Sequence, residues 1–106
     1  MRQLSSDQVS RIAVSLADTP ERTIVLLDEV HVASLDSATY NANIYYLSQG
    51  GEVLWQVEAS PGTYERDSFV SLSRATDGSL VARRFFGNTY ALDQFTGVAR
   101  QIGWSK

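Results

Sequence analysis

The chain has 106 residues, a net charge of −3, one histidine and no cysteine. That length suits one domain with one sizeable core. Without cysteine there is no disulfide, thiolate metal site or thiol nucleophile, and the acidic balance disfavours nucleic acid as a partner. Apolar runs stop at four residues, at 24–27 and 44–47, too short for a membrane helix. The first seven residues lack the apolar stretch of a signal peptide, which points to the cytoplasm.

Taken in chain order, Val9, Ile12, Ala13 and Leu16 have the i, i+3, i+4, i+7 spacing of a helix, with Ser6 or Asp7 placed to cap it. Ile12, Val14 and Leu16 also alternate, and Val9, Val14 and Ser15 are weak helix formers. The strand reading is favoured, because the strand at 23–27 needs a partner across the Asp18-Thr19-Pro20-Glu21 turn. Residues 29–42 read as a long polar connection with room for a short strand at 30–35. A hairpin follows. Tyr45 and Leu47 point to one side of its first strand, and Ile44, Tyr46 and Ser48 to the other. One of the adjacent tyrosines is therefore expected to be exposed or covered by a partner. Gln49-Gly50-Gly51-Glu52 turns the chain. Val53, Trp55 and Val57 share a face of the returning strand, with Trp55 in the core. After a turn-rich stretch at 59–63, the C-terminal part reads as a four-stranded meander over 69–74, 79–85, 88–93 and 98–104. Arg83-Arg84-Phe85-Phe86 reads as core aromatics flanked by surface arginines. Val98, Arg100, Ile102 and Trp104 share a face of a last strand that is only partly covered.

The pattern Asn-x-Tyr-x-Leu-[Ser/Asp]-Gln occurs twice, at 43–49 and 88–94, each copy followed by a glycine, Gly51 and Gly97. Such a period marks a repeated supersecondary unit. The sequence thus predicts an all-β fold of seven or eight antiparallel strands. They form two meandering sheets, from repeats at roughly 9–58 and 66–106 within one domain over 1–106. Tyr45 matches Tyr90 and Leu47 matches Leu92, and all four are expected to face one core.

The stretch Asn88-Thr89-Tyr90-Ala91-Leu92-Asp93-Gln94-Phe95-Thr96-Gly97, with its echo ending Gly51-Glu52-Val53-Leu54-Trp55, resembles the blades of PQQ-like β-propellers. The resemblance implies two β-propeller-blade-like sheets. The chain has material for two blades at most, so no cofactor residues are implied and no cofactor is expected. Trp55-Gln56, Asp77-Gly78, Asp93-x-x-Thr96-Gly97 and Trp104-Ser105-Lys106 are also similar to features of a class of small stand-alone bacterial proteins, some of them like immunity proteins of toxin systems. Phe85-Phe86-Gly87 departs from the polar-aromatic-glycine usual there.

No residue set points to catalysis. His31 has Asp28, Glu29, Ser34 and Asp36 within five positions, but a hydrolytic triad draws its members from separate elements. The cluster lacks metal-ligand spacing. Charge is uneven: residues 1–60 hold eight acids and three arginines, net −5, and residues 61–106 are net +2. Asp28, Glu29, His31, Asp36 and Tyr40 sit in a loop that sheet packing does not claim. Such loops carry binding residues. The leading expectation is a non-enzymatic protein-binding module, an immunity or regulatory protein meeting a basic partner such as a toxin through these five residues. The second is a structural or ligand-sensing module that self-associates through strand edges. The last is a small hydrolase using His31. No nucleic-acid or membrane partner is expected.

Overall fold

A computed structural model describes residues 2–30, 32–59 and 64–104. The protein is all-β, with eight strands in two four-stranded antiparallel sheets and two five-residue helices among these residues. The first sheet joins β1 (Ile12–Thr19), β2 (Arg22–Leu27), β3 (Ile44–Leu47) and β4 (Val53–Gln56) in chain order. The second joins β5 (Phe69–Arg74), β6 (Leu80–Arg84), β7 (Asn88–Leu92) and β8 (Ala99–Trp104) in the same way. Within each sheet every strand pairs with its sequence neighbour, through short hairpin turns except at the long 28–43 connection between β2 and β3. No helix among the described residues is long and apolar enough to cross a membrane.

Both readings of the N-terminal stretch are realised, one after the other. Helix α1 (Ser6–Ser10) is capped by Ser5: its hydroxyl accepts the Gln8 N–H, and the Gln8 side chain accepts the Ser5 N–H. This reciprocal box fixes the first turn, and the alternating residues from Ile12 then extend as β1. In the 29–42 connection no strand is found among the described residues of 30–35. The connection instead carries α2 (Ser37–Asn41), started by Asp36, whose Oδ2 accepts the Thr39 N–H at 3.2 Å.

The main core lies between the sheets. Ile24, Leu26, Ile44, Tyr46 and Trp55 meet Phe69, Leu72, Leu80, Ala82, Tyr90 and Leu92 there. The first sheet is buried on its other face too, where Val25, Leu27 and Tyr45 pack with Leu4, Ile12, Leu47 and Val53. The N-terminal segment supplies that cover. Val53 N–H donates to the Arg2 carbonyl at 2.8 Å, and the Arg2 guanidinium lies 5.6 Å from the Tyr45 ring. Tyr45 and Tyr46 are consequently both buried, with no partner needed for either. Val53 does not share a face with Trp55, as the spacing suggested. The register steps from Tyr46↔Trp55 to Leu47↔Val53, and a bulge of this kind re-aims the residues beyond it.

The two copies of the Asn-x-Tyr-x-Leu pattern run through β3 and β7, each the third strand of its sheet, but the matched tyrosines do not share a core. Ser48 N–H donates to Glu52 and Asp93 N–H to Val98 at corresponding points of the two hairpins. Tyr45 and Tyr90 therefore stand on corresponding faces of their sheets. Tyr90 faces the inter-sheet core and Tyr45 the outer cluster. The sheets stack head to tail, with unlike faces in contact, so in β3 and β7 a residue and its counterpart 45 positions on look the same way rather than at each other.

Three contacts lock the stack. Gly97, at φ 78°, lies against the Trp55 ring, where a Cβ would come within 2.6 Å, while Trp55 Nε1–H donates to the Gln94 carbonyl at 2.9 Å. Asp18 accepts from the Tyr46 hydroxyl, from Gln94 Nε2 at 2.9 Å and from Arg74 Nη2 at 3.2 Å. The buried Asn43 amide donates to the carbonyls of Leu27 (2.7 Å) and Phe69 (2.8 Å), and its oxygen accepts the Phe69 N–H at 2.9 Å. Every hydrogen bond Asn43 makes inside the protein replaces one to water, so its burial carries no orphaned polar group.

Candidate interaction surface

The five loop residues singled out by sequence have different situations. His31 lies outside the described residues. Asp28 is exposed, with Oδ1 accepting the Val30 N–H at 3.3 Å. Glu29 is not a surface acid. It is 1% exposed and takes a forked contact from Arg11, Nε to Oε1 at 2.5 Å and Nη2 to Oε2 at 3.3 Å. That hydrogen bond raises the Arg11 pKa above its ordinary value. Asp36 is exposed but employed as the α2 cap, and hydrogen bonds from Thr39 hold its carboxyl below the usual carboxylate range. Tyr40 is half-buried: its hydroxyl reaches the Val30 carbonyl at 3.5 Å, and Arg66 lies 4.7 Å from its ring. Packing therefore claims more of this loop than its polarity suggested, because a helix cap and a buried ion pair both draw on acids.

A cluster of exposed aromatics in contact with one another lies elsewhere. β6 ends at Arg84, and Gly87 at φ 103° closes a tight turn by donating its N–H to the Arg84 carbonyl at 3.0 Å. Phe85 and Phe86 form the tip of that hairpin, 58% and 41% exposed, so they are not the core aromatics the sequence suggested. The buried member of the run is Arg84, whose Nη1 donates to the Tyr90 hydroxyl at 2.6 Å between the rings of Phe69 and Tyr90. Tyr64 stacks on Phe86 with centroids 4.2 Å apart, and Phe85 meets Phe86 edge-on at 5.0 Å. Trp104, 61% exposed at the end of β8, donates its Nε1–H to the Phe86 carbonyl at 3.0 Å, and Ile102 is exposed on the same strand. Hairpin tips ordinarily hold Asn, Asp, Gly or Pro. Of the four aromatics gathered here, Trp104 ties the turn through its bond to the Phe86 carbonyl, and the turn's geometry calls for none of the exposed rings.

The loop and the tip are joined. Ser37 Oγ donates to Glu65 at 3.3 Å, Asn41 Nδ2 to the Glu65 carbonyl at 2.7 Å, and Arg66 to the Leu35 carbonyl. Tyr64 and Asp67 then reach Phe86 directly, Asp67 through an acceptor at 3.1 Å. One surface thus runs from exposed Asp36 past Glu65 to the aromatic tip. Beside it a cleft of about 440 Å³ is lined by Ser37, Asn41, Val57, Glu58 and Arg84 among others. This set can hydrogen-bond and hold charge.

The sequence signal for the tip was present in Phe85-Phe86-Gly87. It was masked because apolar residues beside a strand ordinarily belong to the core. Searches of curated proteins and of solved structures find no match to this chain. A family model does match residues 9–104, nearly the whole chain, and the chain belongs to that family, described as a domain of unknown function (DUF7957).

Proposed function

We propose that the chain is a non-enzymatic protein-binding module, serving in toxin immunity or in control of a neighbouring gene product, with the aromatic tip at the centre of its contact surface. One observation carries the reading: Tyr64, Phe85 and Trp104 are exposed and each meets Phe86, also exposed, around a turn whose geometry calls for no aromatic ring. Contiguous exposed apolar groups rimmed by polar ones are characteristic of contact surfaces, and aromatics dominate the energetics of such surfaces. Asp36 and Glu65 supply a rim, where charge chiefly sets association rate.

A photo-reactive amino acid placed at position 85 tests this in cells, with position 77, in the β5–β6 turn at the opposite end of β6, as control. The expected result is one protein adduct from position 85 and none from 77. No adduct, or the same adduct from both, contradicts the reading. An adduct of twice the chain's mass would make the tip a self-association face instead. A ligand-sensing role is the second reading, supported by the cleft and its buried arginine.

A further inference from the structure

The outward face of the second sheet has its own chemistry. Arg83 on β6 stands opposite Thr89 on β7, and Arg100 on β8 stands opposite Ala91 on β7. Both arginines are exposed, and between them β7 presents only these small side chains. The result is a shallow trough with a guanidinium on each wall. It opens at one end into a groove of about 360 Å³ lined by Ala91, Leu92, Asp93, Val98 and Arg100. Asp93 is the one carboxylate there, and its Oδ1 is taken by the N–H groups of Phe95 (2.8 Å) and Thr96 (3.3 Å). At the other end the trough runs into the turn that carries Phe85, two residues beyond Arg83.

The geometry points to an acidic amphipathic helix of a partner protein as the occupant of this trough, an inference that rests on the protein-binding reading and names the partner's chemistry. Charge complementarity selects an acidic segment, since two exposed arginines face outward against one carboxylate, Asp93, whose Oδ1 is held by its own turn. The backbone selects a helix. β7 lies between β6 and β8, so its own N–H and C=O groups are already paired. A segment laid over it finds no main-chain partners and must satisfy its own, as a helix does. Arg83 and Arg100 are two strands apart and staggered by two residues, a separation of about 12 Å from strand spacing and rise. A helix laid along the line that joins them, oblique to β7, places carboxylates at i and i+7, about 10.5 Å apart along its axis, against both. The small Thr89 and Ala91 leave room for the helix, and Phe85 can take an apolar side chain at its end.

A displayed library of 15-residue helical peptides, selected against the intact chain, is the probe. Selected binders should carry Asp or Glu at i and i+7, and should bind the Arg83→Gln/Arg100→Gln chain at least tenfold more weakly. Their affinity should fall as salt rises. Neutral or basic binders, or equal affinity for the double variant, would overturn the inference. So would a dimer in sedimentation that the two substitutions abolish, because a second copy would then own the face. Circular dichroism of the double variant should be unchanged, since both side chains are exposed. Failure here leaves the protein-binding reading intact if position 85 still yields its adduct, whereas loss of that adduct removes both.

Discussion

Trp55, on β4, and Phe85, just past β6, are both large aromatics, and the protein uses them in opposite ways. Trp55 is buried between the sheets with its indole N–H satisfied and Gly97 flat against its ring. Phe85 projects from a hairpin tip. Removing the indole should leave a cavity that a two-sheet core cannot close, so Trp55→Ala should cost about 3–5 kcal/mol in urea denaturation. Gly97→Ala should destabilise as well, by roughly 1–3 kcal/mol, because the added methyl meets the ring and the positive φ disfavours any side chain. A loss below about 1 kcal/mol for Trp55→Ala would mean the sheets do not pack through this contact.

The strands of the second sheet were legible almost to the residue. Alternation, the Asp77-Gly78 turn and the Thr96-Gly97 turn all point one way, and hairpin pairing needs no long-range information. What was not legible followed from contacts made at a distance. The short helices are set by caps at Ser5 and Asp36, whose effect on so few residues is smaller than that of the surrounding β pattern. Tyr45 is covered by a segment some forty residues earlier in the chain. Of the binding residues expected in the 28–42 connection, Glu29 turns inward because Arg11 at the end of α1 waits beneath it. That pair anchors the connection to the start of β1. Glu29→Gln should therefore loosen it, raising hydrogen exchange over 28–35 and lowering stability by about 2–3 kcal/mol, while Asp28→Asn leaves both unchanged. Equal exchange in the two variants would show that Glu29 holds nothing.

Head-to-tail stacking of like sheets would continue indefinitely unless both ends were closed. Here they are. The first sheet's outer face is sealed by the N-terminal segment. On the second sheet, the places that Leu26, Ile44 and Tyr46 take in the first are held by Arg83, Thr89 and Ala91, so small or polar residues replace the large ones that make the inter-sheet core. With neither outer face offering a large apolar surface for a further sheet, the aromatic tip is the place where exposed aromatics meet one another without a role in the stack. The most direct measurement is calorimetric titration of the protein cross-linked at position 85 against the wild-type chain and the Phe85→Ser/Trp104→Ser chain. A hot-spot aromatic contributes about 2 kcal/mol or more, so even if only one of the two is a hot spot the variant should bind at least roughly 30-fold more weakly, while its melting shows no more than the small loss of the exposed Trp104 bond to the Phe86 carbonyl. Unchanged affinity, or a loss of affinity that comes only with a collapse in melting, would contradict the assignment of this tip to partner binding.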